Sequence, residues 1–138
     1  MTMPACDFSP SPESFSRRVL LAVVGTLPQT LTETLYYLCC VSQPAFVPTE
    51  VRVITTSEGR NILEMALLHR RSGKFHQFLK DYRLEGQIDF SLDHVHVLAD
   101  HSGQWLEDVR TSADNDVAAD EITAQVRRLT ADPHCALH

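Results

Sequence analysis

One junction constrains this chain more than any other. The apolar run Val19-Leu20-Leu21-Ala22-Val23-Val24 stops at Gly25, and Thr26-Leu27-Pro28-Gln29-Thr30-Leu31-Thr32-Glu33-Thr34 follows at once with helical character. An unbroken apolar run reads as a strand buried on both faces, as a parallel sheet covered by helices requires. Thr30 and Glu33 have the spacing of a capping box, and Pro28 is tolerated just ahead of a first helical turn. The end of the strand therefore delivers Gly25 and Thr26 to a helix N-terminus whose backbone N–H groups lack intrahelical partners. Such a junction suits an anion, most simply a phosphate. It is not the dinucleotide fingerprint, because Gly25 stands alone where G-x-G-x-x-G needs three glycines.

The rest of the chain alternates in the same manner. Met1 to Ser16 is rich in Pro and Ser without periodicity and reads as a flexible tail, leaving 17–138 as one folded domain. Leu31, Leu35 and Leu38 share a helical face, and Pro44 and Pro48 end that helix. Glu50 to Thr56 is rich in β-branched residues and reads as a second strand. A second helix follows Ser57-Glu58-Gly59 with Ile62, Leu63, Ala66 and Leu67 as its stripe, and a third carries Phe75, Phe78, Leu79 and Tyr82. A third strand is expected over Asp93 to Leu98, then a turn at Asp100 to Gln104 and a short returning strand over Trp105 to Val109. Thr111 and Asp114 suit a capping box for a last helix, lined by Ala118, Ile122, Val126 and Leu129 and ended by Pro133. Cys135-Ala136-Leu137 opens a further strand. The order is an alternating α/β pattern, which predicts an α/β fold with a parallel sheet and right-handed crossovers.

Composition excludes several function classes. A net charge of −6 argues against coating long nucleic acid, which rests on many Lys and Arg phosphate contacts. Only Lys74 and Lys80 are lysines, so arginines are the cations available for bidentate phosphate contacts. Cys6, Cys39, Cys40 and Cys135 form no C-x-x-C pair and read as buried thiols in a reducing compartment. The run at 19–24 is too short to span a bilayer and no signal-peptide pattern precedes it, so a cytoplasmic protein without a membrane partner is expected. His94 and His96 have a spacing that can hold a metal on one strand face, but no third ligand accompanies them. A half-exposed strand face is the simpler reading, and no metal site is expected.

Parallel strands share a direction, so Thr55, Thr56, Ser57, Glu58 and Gly59 end the second strand on the same sheet edge as Gly25, Thr26 and Gln29. Hydroxyls beside a helix N-terminus suit a ribose or a base, although an ordinary helix cap explains the same residues.

Three separated segments then carry a resemblance. Leu20 to Thr34, Phe46-Val47-Pro48-Thr49-Glu50 followed by Val53-Ile54-Thr55-Thr56-Ser57-Glu58-Gly59, and Arg110-Thr111 with Asp114-Asn115 and Ala118-Ala119-Asp120 occur in order. Together they resemble the CRISPR-associated Rossmann-fold (CARF) domains of type III systems, in the subgroup of ring nucleases. The resemblance runs from about Arg18 to His138. It implies a homodimer that binds cyclic oligoadenylate, the four-membered ring foremost, across its two-fold interface. Some members only sense this antiviral second messenger; others cut it without metal or cofactor. In those, a ribose 2′-OH attacks the adjacent phosphorus and leaves a 2′,3′-cyclic phosphate end, the protein supplying in-line positioning and charge stabilisation.

On that resemblance Thr26 is the catalytic candidate, orienting the reacting phosphate. Gly25, Thr26, Gln29, Thr56, Ser57, Glu58, Gly59, Arg110 and Asn115 are the ligand-binding candidates, with Asn115 suited to an adenine edge and Arg110 to a phosphate. Arg71-Ser72-Gly73-Lys74-Phe75-His76 also matches the R-x4-H pattern of ribonuclease domains fused to some relatives, which ten arginines and seven histidines produce easily by chance. Relatives continue past Ala136-Leu137-His138 with a strand and a Gly-Gly-Arg-Lys-type loop that brings a cation to the ligand. The resemblance thus implies a Rossmann-like three-layer αβα fold with a mainly parallel sheet whose second half is incomplete, a partial domain holding one wall of the crevice, with an exposed edge on its first strand. Ring nuclease, non-cleaving sensor and inactive fragment are the three functional expectations.

Overall fold

The computed structural model describes residues 12–138, so Cys6 and most of the expected tail lie outside the described residues. Its strands are β1 (Arg17–Val23), β2 (Glu50–Thr55), β3 (Val95–Val97) and β4 (Cys135–Leu137). Its α-helices are α1 (Gln29–Tyr36), α2 (Ser57–Leu63), α3 (Lys74–Asp81) and α4 (Ser112–Thr130). Helices α1 and α2 each run on into one wider π turn, Tyr37–Val41 and Glu64–Leu68.

Alternation along β1 sorts the molecule into layers. Leu20 and Ala22 point to one side, into a core with Leu31, Leu35, Leu63, Leu67, Phe75 and Phe78 from the first three helices. Val19 and Leu21 point to the other, against Leu129 of α4 and Cys135 and Leu137 of β4. A period of two is what puts neighbouring residues into different layers. Each fully buried Leu, Val or Phe contributes roughly 1.5–3 kcal/mol by its removal from water. The first layer holds most of that apolar volume and the second little of it.

Every strand pair is parallel and the order is β3-β2-β1-β4. The chain walks outward from β1 to β3, then crosses back through α4 to lay β4 on the other side of β1. The strand order therefore reverses between β1 and β4, the place where open α/β sheets bind ligands. The α/β fold with αβα layering expected from the sequence is the one observed.

Several local expectations are corrected. Helix α1 begins at Gln29, with Pro28 (φ −66°, ψ −21°) at its N-cap and no side-chain cap. Thr30 thus lies inside the first turn, and its hydroxyl donates to the Leu27 carbonyl at 2.8 Å instead of capping with Glu33. Proline's fixed φ already starts the helical turn two residues earlier than the motif assumed. Trp105 to Val109 forms no strand; only Trp105 makes a single antiparallel bridge, to Ala99. His94 lies in a short 3-10 turn ahead of β3. Residues 12–16 of the expected tail hold a 3-10 turn, Pro12–Ser14, and the Phe15 carbonyl accepts from the Arg18 guanidinium.

β1 is not buried along its whole length either: Val19 is fully covered but Val23 is 60% exposed. β4 pairs only with Arg17, Arg18 and Val19, and His138 adds the last bonds, to Val19 and Leu21. Beyond that level no described strand covers this side of β1. Of the thiols, Cys40 is exposed, contrary to expectation, while Cys39 is half-buried and Cys135 buried. Burial, with a smaller push from Cys40, raises the Cys39 thiol to about 11.

The α4 side of the sheet is polar where the other is oily. Glu50 accepts from Arg17 at 2.5 Å and from Arg52 at 2.8 Å, and Arg17 also reaches Asp132 at 3.5 Å. Burial pushes the Glu50 carboxyl up, but Arg17 and Arg52 outweigh it and hold the group below the usual glutamate range. Helix α4 answers with polar residues. Gln125 is buried and donates to Glu121, while Val126, expected on the inner stripe, is exposed. Its capping box is formed as expected, with Thr111 and Asp114 each bonding the other's backbone.

Candidate functional site at the carboxyl edge of the sheet

The site begins where the β1 ladder ends. The Val24 N–H still donates to Ile54, and Gly25 then leaves the sheet. Thr30 and Leu31 N–H bond to the Leu27 and Pro28 carbonyls at 3.3 and 3.1 Å, so two of the donors expected to be free are used by the turn itself. The amides of Gly25, Thr26 and Leu27, like that of Gln29 at the first position of α1, have no protein partner among the described residues. Gly25, Thr26 and Gln29 are exposed, and a Cβ built on Gly25 meets nothing within 4 Å. The cradle is thus an open loop of three amides and the Thr26 hydroxyl. Residues 24–28 carry no ionisable side chain.

The β2–α2 loop comes against it. Thr56 is extended and buried, and its hydroxyl accepts from the Gly59 N–H at 3.1 Å as the helix cap. Ser57 donates its N–H to the Leu106 carbonyl at 2.9 Å, and Glu58 is exposed. Gly59 is buried, and a Cβ there would overlap the Thr55 hydroxyl and lie 2.9 Å from the Gly25 carbonyl. Only a glycine lets the first turn of α2 rest on the β1–α1 loop. That contact brings two of the three expected residue groups together. The Thr55 hydroxyl, buried at the same spot, has no hydrogen-bond partner.

The third group stands apart. Arg110 is exposed and pairs with Asp108 at 3.5 Å, and Asn115 is exposed on the first turns of α4. No hydrogen bond or ion pair ties either to the two loops. Further along α4, Glu121 faces His96 of β3 at 3.3 Å, so this helix starts on the β3 flank. Its capping box holds the Asp114 carboxyl low, chiefly through the Arg110 N–H.

A crevice of about 260 Å³ opens at the strand-order reversal, lined by Leu20 to Val24, Thr30, Leu31, Thr34 and His138. His138 is its ionisable lining residue and packs against the Phe46 ring at 5.7 Å between centroids. The sequence reading gave His138 no role at the site and took Trp105 for strand; that Trp105 is the single tryptophan of the chain was the available signal. Elsewhere, His94 lies 3.7 Å from Asp89 and His76 lies 3.3 Å from the Leu68 carbonyl. Among the described residues no three His, Cys, Asp or Glu side chains are grouped to hold a metal ion, and no helix is long and apolar enough to cross a membrane.

No curated protein and no solved structure matches the chain. A family match does exist, to the family described as CRISPR-associated protein NE0113 (Cas_NE0113), over residues 27–138. The matched span runs from the loop ahead of α1 through the end of β4, and the chain belongs to this CRISPR-associated family.

Proposed function

We propose that this chain binds a cyclic oligoadenylate, the four-membered ring foremost, as a CARF domain of type III CRISPR antiviral defence. The observation that carries the reading is the cradle of Gly25, Thr26 and Leu27 amides beside the strand-order reversal, in a chain of a CRISPR-associated family. Amides without partners favour a phosphodiester oxygen, and the Thr26 hydroxyl adds a donor. A crevice of about 260 Å³ falls short of the roughly 300–1,000 Å³ of ordinary ligand pockets. A ring of several nucleotides needs a second wall, which a homodimer across a two-fold supplies.

In the cleaving reading the 2′-oxygen bonds to phosphorus as the 5′-oxygen leaves, and one proton passes from the first to the second through solvent. Thr26 orients the phosphate, and the loop amides take up its added charge. A second reading, a sensor that holds the ring without cutting it, is favoured by the lack of any ionisable side chain in residues 24–28. Nothing in that loop serves as general acid or base.

Calorimetry with cyclic tetra-adenylate, with chromatography of the products, tests both. Binding is expected, and Gly25→Asp abolishes it by setting a carboxylate against phosphate while leaving the melting temperature unchanged. Linear product selects the nuclease and intact bound ring the sensor. A parent protein that does not bind the ring, or a Gly25→Asp variant that binds it equally well, refutes the cradle.

A further inference from the structure

Trp105 is the single tryptophan of the chain and is 56% exposed, whereas this side chain is highly buried on average. It does not sit on a slack loop. The Asp100 carboxylate accepts from the Ser102 N–H, the Ser102 hydroxyl and the Gln104 N–H at 2.9, 2.6 and 3.0 Å. Asp100 N–H donates to the Gln104 carbonyl and Gly103 N–H to the Asp100 carbonyl, with Gly103 at φ 84°, a turn that suits glycine. Leu106, next to the ring, donates to Leu98 at 2.8 Å and accepts from Ser57 at the start of α2. The hairpin is thereby stitched to both β3 and α2.

The Arg60 guanidinium lies 5.8 Å from the Trp105 ring centroid, in cation–π range. Arg60 follows Gly59, whose backbone rests on the Gly25 carbonyl. Trp105 therefore stands on the same sheet edge as the amide cradle. The loop that carries it follows β3, and β3 itself lies two strand spacings, about 10 Å, from β1. One nucleotide unit, from phosphate through ribose to base, bridges such a separation.

We propose that Trp105, steadied by Arg60, is the shelf on which an adenine base of the bound nucleotide stacks while the Gly25 to Leu27 amides hold its phosphate. The proposal rests on the cyclic-oligoadenylate reading and adds to it the group that recognises the base. A pre-ordered aromatic face loses little entropy on binding, and every base has a π face to offer it.

The single tryptophan makes the test direct, because all indole fluorescence of the full chain comes from the proposed shelf. The protein is titrated with adenosine 5′-monophosphate, ribose 5-phosphate and cyclic tetra-adenylate, with calorimetry in parallel. Both adenine compounds are expected to quench the emission and ribose 5-phosphate is not. Trp105→Ala weakens cyclic tetra-adenylate binding roughly 5- to 100-fold, Trp105→Phe restores most of it, and both variants melt with the parent because the side chain is exposed. Calorimetric binding of the ring with unchanged emission, and with unchanged affinity in Trp105→Ala, overturns the shelf and leaves the ring-binding reading standing. Quenching by the monophosphate without any binding of the ring supports the shelf as an adenine site and overturns the ring. Silence in every arm overturns both.

Discussion

Replacing Gly59 by alanine tests the contact on which the site depends. In an exposed helix the change adds up to about 1 kcal/mol of stability, because glycine is the poorer helix former. Here the new methyl would overlap the Thr55 hydroxyl and stand 2.9 Å from the Gly25 carbonyl. Neither neighbour yields easily. Thr55 is β-branched and 2% exposed, so its χ1 is stiff and enclosed, and the Gly25 oxygen belongs to the backbone. Overpacking of this kind costs about 1–3 kcal/mol, which exceeds the helical gain. The expected net loss is about 1 kcal/mol, seen as a fall of about 3–5 °C in melting temperature for a domain of this size. Circular dichroism melting of the parent, Gly59→Ala, Thr55→Ala and the double variant measures it. The double variant should lose less than the sum of its parts, because one of the two overlaps is already gone. A Gly59→Ala protein that melts at or above the parent refutes the argument, since helix propensity would then have won.

Two further outcomes follow from the same geometry. Thr55→Val keeps the shape and removes a buried hydroxyl that has no partner, so it should raise stability by about 1 kcal/mol in urea unfolding; a clear loss would mean that the hydroxyl is satisfied in solution. Glu50 has its folded pKa lowered, so its stabilising contribution is full above the ordinary glutamate value of about 4.3 and fades as pH falls through the lower folded value. Stability against pH should therefore drop less steeply below about pH 4.3 in Glu50→Gln than in the parent, and parallel curves would contradict the assignment.

The layered fold was legible because its signals are local and redundant. A six-residue apolar run, a β-branched run and Leu or Phe at helical spacing each have one good interpretation. The misreadings came where a neighbour decides. Thr30 and Glu33 have the right spacing for a cap, yet Pro28 two residues earlier starts the turn and moves Thr30 inside it. Val126 fits an apolar stripe, yet the sheet face opposite carries Glu50 and Arg52, so Gln125 turns inward instead. Periodicity counts apolar residues and is blind to a polar interior. At the site, the sheet edge shared by Gly25 and Thr56 follows from topology alone. The touch between Gly59 and the Gly25 carbonyl does not, because it depends on how closely one helix settles. Trp105 was missed for a related reason: its strand-like neighbours hide that Asp100 consumes the bonds a returning strand would use.

The unequal faces of the sheet set the order in which the molecule comes apart. One layer is welded by a deep apolar interior, whereas α4 and β4 are fastened mainly by Leu129, Cys135 and a few part-buried charges. Local opening samples the weaker attachment first, so backbone amides of β4 should exchange with solvent ahead of those in β2. That C-terminal flank is also where His138 borders the crevice. A molecule lodged there would clamp the flank shut, and slowed deuterium uptake at the last residues would be its imprint.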